Sequence, residues 1–150
     1  MSDARCQITI VIPLEIPSQN RTGRGRTWRV RAALTRQIRS AWALHARSAM
    51  AAIRAAPADR PRSLHVIAYR KRLVYDIANL IGGAKACIDG LVDAGMLTDD
   101  RDTAARITYE QRLASDPRGQ VDRKPCTVVI AFDIPSPPAQ QPATQEYTTP

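Results

Sequence analysis

A chain of 150 residues, 44% of them hydrophobic, can bury one sizeable core and is short for several ordinary domains. A formal net charge of +8 favours polyanionic partners over acidic surfaces. Its 3 cysteines are isolated from one another, which argues against a disulfide framework and against close cysteine metal-ligand spacing.

The N-terminal MSDARCQ lacks the apolar core of a signal peptide, and no apolar run reaches membrane-spanning length. A cytoplasmic, reducing setting without a membrane partner is therefore expected. Residues 6–12, CQITIVI, are β-branched and read as a strand with Ile8, Ile10 and Ile12 on one face. Pro13 and Pro17 interrupt further pairing, since proline has no amide donor. Ser18, Asn20 and Arg21 follow, with side chains that can donate to phosphate oxygens or simply shape a turn.

Arg21, Arg24, Arg26, Arg29, Arg31, Arg36 and Arg39 then form a run with no acid among them, suited to neutralising phosphates. Gly23 and Gly25 make its first part a loop that substrate would order. Trp28 can stack on a base or anchor the core. From Arg31 to about Ala55 the alanine-rich, proline-free sequence predicts a helix, with a stripe through Leu34, Ile38, Ala41, Trp42, Ala49 and Ile53. His45 interrupts that stripe and reads as a boundary residue. Pro57 ends the helix, and Ser63–Tyr69 reads as the second strand. Arg70, Lys71 and Arg72 make a basic cluster that either closes a strand or positions phosphate.

An acidic stretch follows inside this basic protein, carrying Asp76, Asp89, Asp93, Asp99, Asp100 and Asp102. Ile81, Ala84, Ile88, Leu91 and Val92 recur at helical spacing. A helix of about ten residues is only about 15 Å long, so Asp76 before it and Asp99–Asp100 after it can fold together. Clustered carboxylates suit a hard cation such as Mg²⁺. Gly82-Gly83 marks either a close backbone approach or a flexible turn. Lys85 and Asp89 share a helix face, as a surface ion pair or as a phosphate-facing lysine with a nearby acid. Ala94-Gly95 closes the helix, and Asp99-Asp100 is either a solvated turn or part of a metal site.

Residues 105–112 read as a third strand, 114–124 as a loop, and Cys126–Ile134 as a fourth strand, apolar enough to be central. The expected fold is α+β (mixed α/β), a four-stranded sheet with two main helices in the order β-α-β-α-β-β. Residues 1–134 form the domain, and 135–150, rich in Pro, Gln and Thr, form a disordered tail.

Asp76, Asn79, Leu80, Lys85, Asp89, Leu91, Ala94, Gly95, Asp99 and Asp100 together resemble the Asp-Asn-Leu, lysine, helix and acid-pair pattern of the RusA family. That family comprises phage and bacterial Holliday-junction endonucleases, and the segment Ile16–Arg21 is similar to its Pro-Ser-x-Asn-Arg motif. The resemblance implies a RusA-like fold and a homodimer that resolves four-way DNA junctions by paired symmetric nicks. It also implies Mg²⁺, with Mn²⁺ as a substitute, in a bacterial cell, with a phage or prophage gene as one source. Asp76, Lys85 and Asp100 map to the catalytic positions, and Asp76 and Asp100 to metal binding, assisted by Asp99 or Asp89. Asn20 and Arg21 of that motif, together with Arg24, Arg26 and Arg29 of the basic run and Arg70, Lys71 and Arg72 of the basic cluster, are the residues expected to contact DNA. The chain departs from the pattern at Ala78, where a second metal-binding aspartate is expected. The alternative is thus a junction-selective binding protein with weak or no cleavage.

Overall fold

The computed structural model describes residues 7–20, 25–99, 106–116 and 124–134. Cys6, Arg21, Arg24, Asp100 and the segment 135–150 lie outside the described residues. Strand β1, Gln7–Ile12, buries Ile8, Ile10 and Ile12 and exposes the residues between them, as its alternation demands. Helix α1 spans Trp28–Ala52 and starts ahead of the expected Arg31. The cause is Thr27, whose side-chain oxygen accepts from the Val30 amide at 3.5 Å as an N-cap.

Helix α1 stops before Pro57. Arg54 adopts a left-handed conformation with φ 54°, and its amide donates to Ala51 O at 3.1 Å while Ala55 N donates to Met50 O at 2.9 Å. This pair of bonds closes the last turn in the Schellman manner, with arginine where glycine is usual.

Strand β2 is Arg62–Arg70, helix α2 Ile77–Asp93, strand β3 Ile107–Leu113 and strand β4 Cys126–Asp133. The sheet order is β1-β4-β2-β3, with β4 antiparallel to both neighbours. The most apolar strand is thus central, as expected. Strands β2 and β3 are parallel, Leu64 opposite Ile107, so the chain must cross over between them, and α2 makes that crossing. The architecture is α+β, with two helices and a four-stranded mixed sheet in the order β-α-β-α-β-β.

Both helices cover one face of the sheet. Trp42, Ala46 and Met50 of α1 and Leu80, Ala84, Cys87, Ile88 and Leu91 of α2 join Ile8, Ile10, Ile12, Leu64, Val66, Val129 and Ala131 in the main core. Ile67, Tyr69, Cys126 and Val128 make a smaller cluster on alternate strand positions. The buried face of α2 includes the expected Ala84, Ile88 and Leu91, with Val92 packed against it, but begins at Leu80, leaving Ile81 46% exposed. Ile53 likewise falls outside the core, beyond the end of α1.

The helices touch at Gly90, where an added Cβ would lie 2.6 Å from the Arg39 carbonyl oxygen and 2.8 Å from Trp42 Cβ. Beside that crossing, Arg39 Nη2 donates to Asp93 Oδ1 at 2.6 Å, and Arg47 Nη2 to the Asp93 carbonyl at 2.8 Å. The Arg39 hydrogen bond holds the Asp93 carboxyl below its ordinary range. These arginines therefore join the helices. At the far end of the sheet, buried Arg62 binds Asp133 Oδ1 at 2.8 Å and the Met96 carbonyl at 3.1 Å. Cys87 and Cys126 are free and buried, and burial pushes the thiol of each up.

Candidate functional site

The candidate site is built at the N-terminus of α2. Asp76 is the N-cap: its Oδ1 accepts from the Ala78 amide at 2.9 Å, and Asn79 Nδ2 reaches its Oδ2 at 3.5 Å. The Asn79 amide also donates to the Asp76 carbonyl at 3.0 Å. Asn79 and Leu80 are therefore in the first turns of the helix. The solvent-facing stripe of α2 then runs through exposed Ala78, Gly82 and Lys85 to half-buried Asp89, at intervals of three and four residues. Lys85 Nζ lies 3.6 Å from Asp89 Oδ1, and its side chain is 71% exposed. Such an exposed pair contributes only about 0.3–0.5 kcal/mol, so the lysine remains positioned to face a ligand.

A second segment meets this helix. Leu14–Gln19, which follows β1, runs across the first half of α2. A Cβ added at Gly83 would overlap the Pro17 carbonyl oxygen, and one at Gly82 would overlap the Gln19 side chain. The glycine pair therefore answers to close approach, inside a helix. Thr127 Oγ1 fixes the other side of the segment, donating to the Leu14 carbonyl at 2.8 Å. Ser18 and Asn20 are thus carried to the helix that Asp76 caps, although a whole helix, Trp28–Ala52, and a strand, Arg62–Arg70, lie between them in the chain.

Arg70 departs from the expected DNA-facing cluster. Its side chain is 8% exposed, with Nη2 2.7 Å from Glu15 Oε1, Nη1 on the Ile16 carbonyl and Nε 3.3 Å from the Arg72 carbonyl. It lies at the end of β2, where the guanidinium is enclosed by these acceptors. Lys71 and Arg72 are exposed, as are Arg26, Arg29, Arg31 and Arg36. Trp28 is 69% exposed, which removes it from the core, and the Arg29 guanidinium lies 5.5 Å from its ring centroid. A tryptophan and arginine so disposed offer a stacking surface beside positive charge.

The acids do not assemble as a short helix would allow. Helix α2 has 17 residues and extends about 25 Å, against the expected ten or so. Asp76 caps its start, whereas Met96 N donates to Leu91 O at its end and Arg62 binds the Met96 carbonyl there. Buried Leu97 allows only a short run back to Asp99, so the Asp76 and Asp99 backbones stay on the order of 10 Å apart or more. Ligand oxygens on one Mg²⁺ lie within about 4 Å of one another. Among the described residues no group of three or more His, Cys, Asp or Glu side chains is placed to hold a metal. The described donors of one chain therefore do not fit a Mg²⁺ site: Asp76 brings one carboxylate, and position 78 brings a methyl group.

Two supports of the site escaped sequence reasoning. Glu15 is one, the partner of Arg70. Gln111 on β3 is the other: its Oε1 accepts from Val74 N at 2.9 Å and its Nε2 donates to Val74 O at 2.8 Å, holding the connection into Asp76. Neither belongs to a periodic pattern or local motif, and only the strand pairing brings them into reach. No family model matches the chain, and no curated protein matches it. Among the described residues no helix is long and apolar enough to cross a membrane.

Proposed function

We propose that this chain is a RusA-like, Mg²⁺-dependent endonuclease that acts on four-way DNA junctions as a homodimer. One observation carries the reading: the Pro17–Asn20 segment is packed on the helix that Asp76 caps and that presents Lys85. Two motifs distant in sequence, each singled out for phosphate chemistry, thereby share one surface. Exposed Arg26, Arg29, Lys71 and Arg72 supply charge for backbone phosphates, a sequence-independent attraction that weakens with salt. Lys85 is the side chain suited to stabilising charge that develops on a phosphate oxygen. Asp76 would hold Mg²⁺ together with water and the phosphate of the bound DNA, and in a homodimer a second copy could bring a further acid to it.

A second reading is favoured by Ala78, namely junction binding with little cleavage. One experiment separates the two. A labelled four-way junction and a linear duplex of the same sequence are incubated with the full chain, with and without Mg²⁺ or Mn²⁺, beside a Lys85→Ala control. Paired metal-dependent nicks, lost in the control, support the nuclease. Junction-selective binding without nicks selects the second reading. Equal affinity for junction and linear duplex sinks both.

A further inference from the structure

Arg70 stands between the two segments that compose the site. Its guanidinium meets Glu15 and the Ile16 carbonyl on one side and the Arg72 carbonyl on the other. The Arg70 carbonyl also accepts from Ala114 N at 2.8 Å, tying this corner to the end of β3. A guanidinium presents its donors in a rigid fork, so engaging three acceptors on two segments fixes their relative placement. One segment continues into Pro17–Asn20, which lies on Gly82 and Gly83. The other continues through Val74, clamped by Gln111, to the Asp76 cap. Glu15 neutralises the buried charge, as an enclosed arginine requires.

We propose that the Arg70–Glu15 pair is a positioning device that registers the phosphate-facing segment 17–20 against the N-terminus of α2, and so sets junction affinity without touching DNA. This rests on the junction-binding reading above. A charge-only role and a positioning role predict opposite signs at Glu15. Removing a negative charge from a basic DNA-binding surface should tighten binding through electrostatics alone. Loosening the register of the contact segment should weaken it, since ordering that segment on binding costs about 0.5–1.5 kcal/mol per immobilised side chain, a factor of about two to twelve.

The test measures junction Kd and the salt dependence of binding for the full-length wild type, Glu15→Gln, Arg70→Lys and Arg70→Ala, with thermal unfolding of each. Glu15→Gln is nearly isosteric and is expected to weaken junction binding by about three- to tenfold while remaining folded. Arg70→Lys keeps the charge but loses the fork, and is expected to weaken binding in the same way with the salt slope unchanged. Unaltered or tighter binding by Glu15→Gln, with a wild type that binds junctions, overturns the positioning role alone. A drop in the salt slope by about one phosphate contact for Arg70→Ala, with Glu15→Gln unaffected, would make Arg70 a direct contact instead. A wild type without junction preference overturns the underlying reading and the device with it.

Discussion

Gly82 and Gly83 are adjacent in the same helix, yet alanine at each should act in opposite directions. Each substitution removes glycine from a helix interior, which favours the folded state by about 1 kcal/mol. The surroundings then decide the sign. At Gly82 the new methyl meets the Gln19 side-chain amide, the far end of an exposed residue that can swing aside. At Gly83 it meets the Pro17 carbonyl, backbone held by Thr127 on Leu14 and by Arg70 on Ile16. Forcing that segment away typically costs about 1–3 kcal/mol beyond the propensity gain. Gly82→Ala should thus be neutral or stabilising by up to about 1 kcal/mol, and Gly83→Ala destabilising by about 1–3 kcal/mol. Urea unfolding of both variants measures the difference, and a thermal scan should separate them by several degrees. Equal stability for the two alanine variants would refute the close packing of segment 14–19 on α2.

Restoring the expected carboxylate with Ala78→Asp places it on an exposed position in the first helical turn, so without metal the fold should change by no more than about 1 kcal/mol. With Mg²⁺ at ten times its Kd the variant should gain about 1.4 kcal/mol, seen as a metal-dependent rise in Tm larger than wild type's, and equal shifts would exclude position 78 as a ligand position. Replacing left-handed Arg54 by glycine should stabilise the chain by about 0.5–1 kcal/mol in chemical denaturation, because glycine accepts positive φ without a Cβ penalty. For Asp93, the folded carboxyl lies below its ordinary 3.8 because of Arg39, so its contribution is present above that value and lost as pH falls through the folded one. The stability difference between wild type and Asp93→Asn should therefore hold from neutral pH to about 3.8 and shrink below it, as urea unfolding across pH would report.

Much of the architecture was legible because each element carries a local pattern. The alternation of Ile8, Ile10 and Ile12 marked a half-buried strand, and the apolar run from Cys126 marked the central one. The extent of α2 was less visible, since Gly82-Gly83 resembles a break. Only the segment lying against those glycines explains why a helix continues through them. Ala84, Ile88, Leu91 and Val92 fall on the core face as expected, and only Ile81 departs: it and Leu80 are both strongly apolar, and tertiary packing chose Leu80. At the candidate site, Asp76 and Lys85 were recognisable as chemistry-bearing residues. The role of Arg70 was not, because its fate depends on Glu15, far away in sequence and adjacent only after the sheet has formed. The parallel pairing of β2 with β3 had the same character, and it places Asp99 at the end of α2 remote from Asp76.

The central place of β4 has a consequence for synthesis on the ribosome. Among the described strands β1 is made before the others, yet its pairing partner is β4, made after them. Until Cys126–Asp133 have left the exit tunnel, Ile8, Ile10 and Ile12 lack their sheet neighbours, and β2 can pair only with β3. The nascent chain thus carries open strand edges until β4 is available, a condition that invites pairing with other chains. Ribosome-stalled chains should differ sharply in protease resistance according to whether an added C-terminal linker carries β4 clear of the tunnel, with protection arriving only once the fourth strand is free to insert.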